Sequence, residues 1–318
     1  MSGRYAGGVP LAEVVRSGFV ESRHLGSYAA LDADGALVAR AGDPLGAVFP
    51  RSANKPMQAV AMWRNGLRPP DPADLALVAA SHHGEPFHVE RVRALLASAH
   101  LSESDLRCPP DLPLAPGARE AVLRAGGSPS RAYMNCSGKH AGMLATCVVA
   151  GWTIGDYVEP DHPLQKACRA AVEDLAGESA AAVGVDGCGA AVVAISLTGL
   201  ARAFLRVVSA DPGTPERTVA DAMRTHPEMM SGTSATDARL MRAVPGLLAK
   251  GGAEGVLAVA VPGVGAVTIK IDDGAARALP PVVVAALGRL GLDSAELREA
   301  ADVPVLGGGA RVGMVRVA

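Results

Sequence analysis

Aromatic side chains are scarce in this chain, at 3% of 318 residues. With so few rings to fill space, the interior has to be built from Ala, Val and Leu, and the hydrophobic fraction of 49% supplies them. A surplus of one charge is also missing: the net charge is −2, with no run of like sign. That excludes the basic footprint of a nucleic-acid binder and the polybasic patch of a membrane-surface protein. Long apolar runs are missing too. No stretch free of Asp, Glu, Lys, Arg and His is longer than that from Ala141 to Gly155, short of the roughly 20 residues a membrane span needs. The five cysteines (Cys108, Cys136, Cys147, Cys168 and Cys188) are odd in number and contain no CxxC pair. The opening Met-Ser-Gly-Arg-Tyr-Ala-Gly-Gly lacks the basic-then-apolar pattern of an export signal. Together these lead us to expect a cytoplasmic protein with reduced thiols.

Lysine is the most telling shortage. Of 30 basic residues only Lys55, Lys139, Lys166, Lys250 and Lys270 are lysines; the other 25 are arginines. A lysine can shed its proton and serve as a base or a metal ligand, whereas an arginine effectively cannot. In a chain that writes arginine wherever plain positive charge suffices, each remaining lysine invites a chemical explanation. Lys166, among polar residues of a predicted helix, fits a solvated surface role. Three of the other four lie in the motifs described below.

Hydrophobic periodicity predicts short strands at Val14–Val20, Tyr28–Leu31 and Ala36–Val38, with Asp32-Ala33-Asp34-Gly35 as a hairpin turn. A helix is predicted from about Ser52 to Asn65, with Pro56 tolerable only in its first turn. Helical signals then dominate to about residue 248, with Thr214 and Ser234 as N-caps. Strands return at Gly255–Val261, Ala266–Ile271 and Arg311–Val317, with a helix at Pro281–Leu290 between the last two. This order predicts an α+β fold in one domain spanning 1–318. Its antiparallel sheet lobe would come from both chain ends, about 1–51 and 250–318, around a helical lobe of about 52–249.

Five segments carry candidate chemistry. Arg51-Ser52-Ala53-Asn54-Lys55-Pro56 is an S-x-x-K at a helix start, a spacing that puts Ser52 and Lys55 on one face and allows the amine to take the hydroxyl proton. By itself the pattern is common by chance. Ser81-His82-His83-Gly84-Glu85-Pro86 follows a strongly apolar helix, where polar groups tend to line sites. With His88 it suggests a metal site, but the spacing is not HExxH, and a capped loop with surface histidines explains it equally well. Asn135-Cys136-Ser137-Gly138-Lys139-His140 and Gly184-Val185-Asp186-Gly187-Cys188-Gly189 each set a cysteine in a Gly-flanked loop, consistent with a thiolate metal site or a reactive thiol pair. Cys147 and Cys168, on apolar helical faces, read as core. Lastly, Lys250-Gly251-Gly252 puts a lysine just before the Gly255–Val261 strand. A lysine there, facing an S-x-x-K helix, is the layout of β-lactamases and penicillin-binding proteins.

Taken in order, these segments resemble the asparaginase II family of amidohydrolases, whose fold is similar to that of serine β-lactamases and glutaminases. Val20-Glu21-Ser22 with His24, His162-Pro163, Gly252-Ala253-Glu254-Gly255 and Lys270-Ile271 with Asp273-Gly274 extend the match over most of the chain. The resemblance implies two Ser-Lys tandems, Ser52–Lys55 and Ser81–Lys250, and a zinc site with Cys136, Lys139 and Cys188 as ligands. It implies that Arg51 flanks the nucleophile and that Asn135, His140 and Asp186 line the substrate pocket. It also implies a homodimer. The expected reaction is hydrolysis of L-asparagine to aspartate and ammonia, with Ser52 attacking and Lys55 as base, the two serines being interchangeable in role from sequence alone. Two rivals stand beside it: a β-lactam- or peptide-processing hydrolase on the same fold, and a non-catalytic zinc- or amino-acid-binding protein.

Overall fold

The computed structural model describes residues 3–318, so the first two residues of the expected sheet lobe lie outside the described residues. In chain order the strands and helices begin with β1 (Val9–Arg16), β2 (Phe19–Asp32), β3 (Leu37–Ala41) and β4 (Ala47–Val48). Helices α1 (Lys55–Arg64), α2 (Pro72–Val78), α3 (Pro86–Ser98), α4 (Pro116–Arg124), α5 (Ser137–Ala150) and α6 (Pro163–Ala176) follow. The hairpin β5 (Ala182–Val185) and β6 (Ala191–Ser196) leads into α7 (Leu197–Ser209), α8 (Pro215–Thr225), α9 (Pro227–Met230) and α10 (Thr236–Ala243). The chain closes with β7 (Leu248–Gly252), β8 (Val256–Val261), β9 (Gly265–Ile271), α11 (Leu279–Gly288), α12 (Ala295–Ala300), β10 (Pro304–Gly307) and β11 (Ala310–Val317).

Both chain ends build one antiparallel sheet. Its strand order is β10-β11-β1-β2-β9-β8-β7, with β3 also on β2. The register sets Val14 opposite Val315 and Ala30 opposite Val267, so apolar side chains of the two ends share one buried face. Helix α7 lies between this sheet and the rest, packing on β2, β8 and β9 and against α6 and α8. Leu200, Phe204, Val207 and Val208 of α7 are buried there, each contributing on the order of 1.5–3 kcal/mol of burial free energy. The segment between β3 and β7 is mainly helical, and its helices start as their sequences dictate. Proline opens α2, α3, α6 and α8, where its missing N–H costs nothing, and Asp71, His162 and Thr214 accept first-turn amides. The α+β architecture is the expected one.

Several local expectations needed correction. The single strand Val14–Val20 is in fact two, turning at Ser17 and Gly18, whose φ values of 49° and 82° suit the right-handed twist of a tight hairpin. The β5–β6 hairpin and β10 were not anticipated; they are short, mainly apolar runs with no polar-apolar alternation to mark them. Ala235, not Ser234, occupies the N-cap of α10, and no side chain caps it. Lys250 lies within a strand of its own, β7, opposite Ala258 of β8.

Candidate active site

Between β4 and α1 the chain makes a 3-10 turn, Arg51–Asn54, which continues directly into α1. Gly252 of β7 packs on it: a Cβ there would stand 2.3 Å from the Pro50 carbonyl oxygen, so only glycine lets strand and turn approach this closely. Arg51 holds a left-handed conformation, φ 53°. Its Nε donates to Asp186 Oδ1 at 2.7 Å, so the ion pair with the β5–β6 turn holds a conformation that arginine rarely adopts. Lys55, the first residue of α1, is buried. Its Nζ donates to the Ala80 carbonyl, to Ser81 Oγ at 2.9 Å and to Cys136 Sγ at 3.1 Å.

Ser81 lies in the segment between α2 and α3, which is fastened on two sides. Ser81 N–H donates to the Met230 carbonyl at 2.8 Å and His83 N–H to the Ser231 carbonyl at 2.6 Å. His82 is fully buried; its Nε2 meets Ser137 Oγ of α5 at 2.8 Å and its Nδ1 accepts the Gly84 amide. Burial first, then the charges of His88 and Lys55, drives the His82 pKa well below the usual histidine range, so the ring is a neutral tie. His82 and His88 stack at 5.2 Å, and Glu85 accepts the Thr233 amide and hydroxyl. These contacts fasten the segment to its neighbours, and its histidines and Glu85 form no group of three placed to hold a metal among the described residues.

A cleft of about 430 Å³ opens between this segment, the 3-10 turn and β7, lined by Ser52, Ser81, His83, Asn135, Asp237 and Lys250 among others. The Ser52 hydroxyl makes no hydrogen bond among the described residues, and its backbone N–H is also free there. Lys250 is buried, donates to the Gly251 carbonyl at 2.7 Å and lies 3.6 Å from Asp237 Oδ2. Burial pushes its pKa down to about 8, with Asp237 opposing and the Lys55 charge adding to the fall.

Behind the cleft is a second buried cluster. Lys139, on the first turn of α5, donates to Cys188 Sγ at 3.2 Å. Cys188 is held far below the usual thiol range by the neighbouring Cys136 sulfur, against burial and with help from the Lys139 charge; Cys136 is held above it. Burial would strip the Lys139 proton, but the Cys188 and Cys136 sulfurs prevail and hold its pKa above the usual lysine range. His140 Nδ1 meets Tyr157 Oη at 2.7 Å, and its Nε2 is buried with no hydrogen-bond partner among the described residues. Burial foremost keeps this ring neutral.

All the expected site residues but Arg51 and Asp186 thus fall into two groups. Ser52, Ser81, Lys250 and Asn135 line the cleft, with Lys55 in its wall, while Cys136, Lys139, His140 and Cys188 form the sulfur cluster; Cys136 touches both through Lys55 and through Asn135 Oδ1 at 3.1 Å. The expected pairing is different from the observed one: Lys55 bonds Ser81 rather than Ser52, and Lys250 bonds its own strand rather than Ser81. Arg51 and Asp186 neutralise each other and do not line the cleft, and His140 faces the core. Asp237 and Ser231 are cleft groups the sequence did not single out, and His83, marked there only as part of a candidate segment, joins them. The first two sit beside the start of a predicted helix, where polar residues read as caps.

Among the described residues no helix is long and apolar enough to cross a membrane. No curated protein matches the chain in sequence. Among solved structures, it is similar to a β-lactamase from Mycobacterium bovis, with 18% identity, a TM-score of 0.48, and coverage of 84% of this chain and 95% of that one. It is also similar to a protein designated Mglu, with 14% identity, a TM-score of 0.44, and coverage of 84% and 63%. The model of one family, L-asparaginase II, matches residues 12–317. With the two Ser/Lys elements converging on one cleft and the Asn-Cys-Ser-Gly-Lys-His and Val-Asp-Gly-Cys-Gly segments meeting behind it, this chain belongs to the L-asparaginase II family.

Proposed function

We propose that the protein is an L-asparagine amidohydrolase working through a serine acyl-enzyme. The observation that carries the reading is a buried lysine, Lys55, 2.9 Å from a serine hydroxyl in the wall of a cleft that holds a second serine and a second buried lysine. Ser52 attacks the side-chain amide carbon. Its own N–H, unbonded at the start of a helical turn, is a ready donor for the developing oxyanion, whereas the Ser81 N–H is already spent on Met230. Lys55 acts as base after giving up a proton of its own ammonium, taking the serine proton directly or by way of the Ser81 hydroxyl it holds. Lys250, the lysine that loses its proton near pH 8, returns a proton to the leaving ammonia. Water then releases aspartate.

A second assignment has Ser81 as the attacker, favoured by its direct bond to Lys55. Acid-quenched turnover followed by peptide mapping separates the two. An aspartyl adduct on the Ser52 peptide supports the first, and one on the Ser81 peptide replaces it with the second. Acylation by a fluorescent penicillin would instead support the β-lactam-processing rival.

The sulfur cluster suits zinc. Two sulfurs offer soft donors and a lysine amine offers a nitrogen, and the orphaned His140 Nε2 carries a lone pair in one tautomer. No set of three His, Cys, Asp or Glu side chains among the described residues is placed to hold a metal, and the ligands we propose are Cys136, Cys188 and the Lys139 amine. Binding would displace the protons of Lys139 and Cys136. Bound there, zinc would supply positive charge behind Asn135 and Lys55. We extend the proposal to a cytoplasmic homodimer that needs neither nucleic acid nor membrane.

A further inference from the structure

Asp237 is a buried carboxylate in the wall of the cleft whose charge is only half used. Its Oδ2 accepts the Ser231 hydroxyl at 3.1 Å and the Gly251 amide at 2.9 Å. Its Oδ1 accepts nothing among the described residues, yet it is not among the sealed polar atoms, so it reaches the space of the cleft. The nearest cation, Lys250, stays at 3.6 Å from Oδ2 and spends a hydrogen on the Gly251 carbonyl instead. A buried carboxylate with one oxygen fixed by two donors and the other unpartnered is short of positive charge. His83, the other titratable group on this side, stays neutral because burial foremost lowers its pKa.

The same carboxylate is mechanically tied to the catalytic wall. Ser231, which donates to Asp237, also accepts the His83 amide through its carbonyl, two residues from Ser81. Gly251, the other donor, follows Lys250 on β7. Asp237 is therefore held in register with both a cleft serine and a cleft lysine.

We propose that Asp237 Oδ1 binds the α-ammonium group of the substrate, which restricts this cleft to amides of free amino acids. The inference rests on the amidohydrolase reading of the cleft and adds the group that selects among amides. A charge-assisted bond of this kind is worth on the order of 10- to 100-fold in affinity. Simple amides, N-acylated amino acids and peptides with a blocked amine lack the cation and leave the carboxylate desolvated and unpaired.

The test compares L-asparagine with succinamic acid, which has the same amide and carboxylate but no α-amine, in wild type and Asp237→Asn. The substituted amide keeps an acceptor for Ser231 and Gly251 while losing the charge. The expected result is strong wild-type preference for asparagine, collapsing in Asp237→Asn through a KM rise of about 10- to 100-fold for asparagine only. Asp237→Glu, which keeps the charge but displaces it, should also lose on asparagine and not on succinamic acid. Equal losses on both substrates would make Asp237 a support for Lys250 and overturn the proposal, as would equal wild-type rates on both. Calorimetry with L-aspartate and succinate repeats the comparison without turnover. Tighter binding of aspartate, abolished in Asp237→Asn, upholds the proposal even if asparagine proves not to be hydrolysed. No difference between the two ligands overturns it even if asparagine is hydrolysed.

Discussion

Lys250 and Lys139 are the same residue type, equally removed from water, in neighbouring parts of one molecule, and they behave in opposite ways. Lys250 faces a second lysine and a carboxylate not close enough to hold it fully, so burial wins and its pKa falls to about 8. Lys139 faces two sulfurs, one of them a thiolate, and burial loses: it keeps its proton. Burial alone therefore does not make a lysine a base; the sign of what stands opposite decides. The cleft has a lysine poised to exchange protons, and the cluster behind it has one that gives up its proton only to something that competes for the sulfurs, as a metal does.

The sharpest way to break this contrast is to remove the proton chemistry from the cleft. Ser52→Ala and Lys55→Arg should each lower kcat by about 10³-fold or more while thermal melting still shows a folded protein. The first deletes the attacking oxygen, and the second keeps a charge that cannot be shed. Near-wild-type turnover in either would strip that residue of its role.

Next in size is the amide itself. Glutamine carries its amide one methylene further, which displaces the reacting carbon from Ser52 by more than 1 Å. Rates about 10²-fold below those on asparagine are expected, and comparable rates would show a looser cleft. A metal assay probes the other half of the contrast. Purified protein should contain zinc, and Lys139→Arg, Cys136→Ser and Cys188→Ser should each lose most of it while KM rises more than kcat falls. Full zinc retention in Lys139→Arg would remove lysine from the ligand set. The smallest effect is the pH profile. Lys250 is charged below its pKa and neutral above it, so an activity limb governed by its charged, proton-donating form should fall as pH climbs through about 8. Lys250→Arg should abolish that limb, and a profile flat from pH 5 to 9 would contradict it.

Much of this site was legible in the sequence because its chemistry needs rare residues. Five lysines among 30 basic residues made Lys55, Lys139 and Lys250 conspicuous, and the structure gathers all three within two adjoining clusters. The two cysteine loops were legible for the same reason. Partnership was not. Local spacing brought Ser52 to Lys55, but Lys55 points across the fold to Ser81 on a loop fixed by Met230 and Ser137, which no local pattern reveals. Arg51 and Asp186 looked like substrate ligands and turned out to satisfy each other. Asp237 was hidden because an acidic residue in the first turn of a helix already has an ordinary explanation in the helix dipole. In the sheet, the turn at Ser17-Gly18 disappeared inside an apolar run that reads equally well as one strand or two.

The measurement that bears most directly on the central claim is ammonia release by the purified wild-type protein from L-asparagine, run beside glutamine and a short peptide ending in an amide. The account predicts ammonia and aspartate in equal amounts from asparagine, little from glutamine and none from the peptide. No ammonia from asparagine with the protein folded and zinc supplied, or release from the peptide at an equal rate, would contradict it.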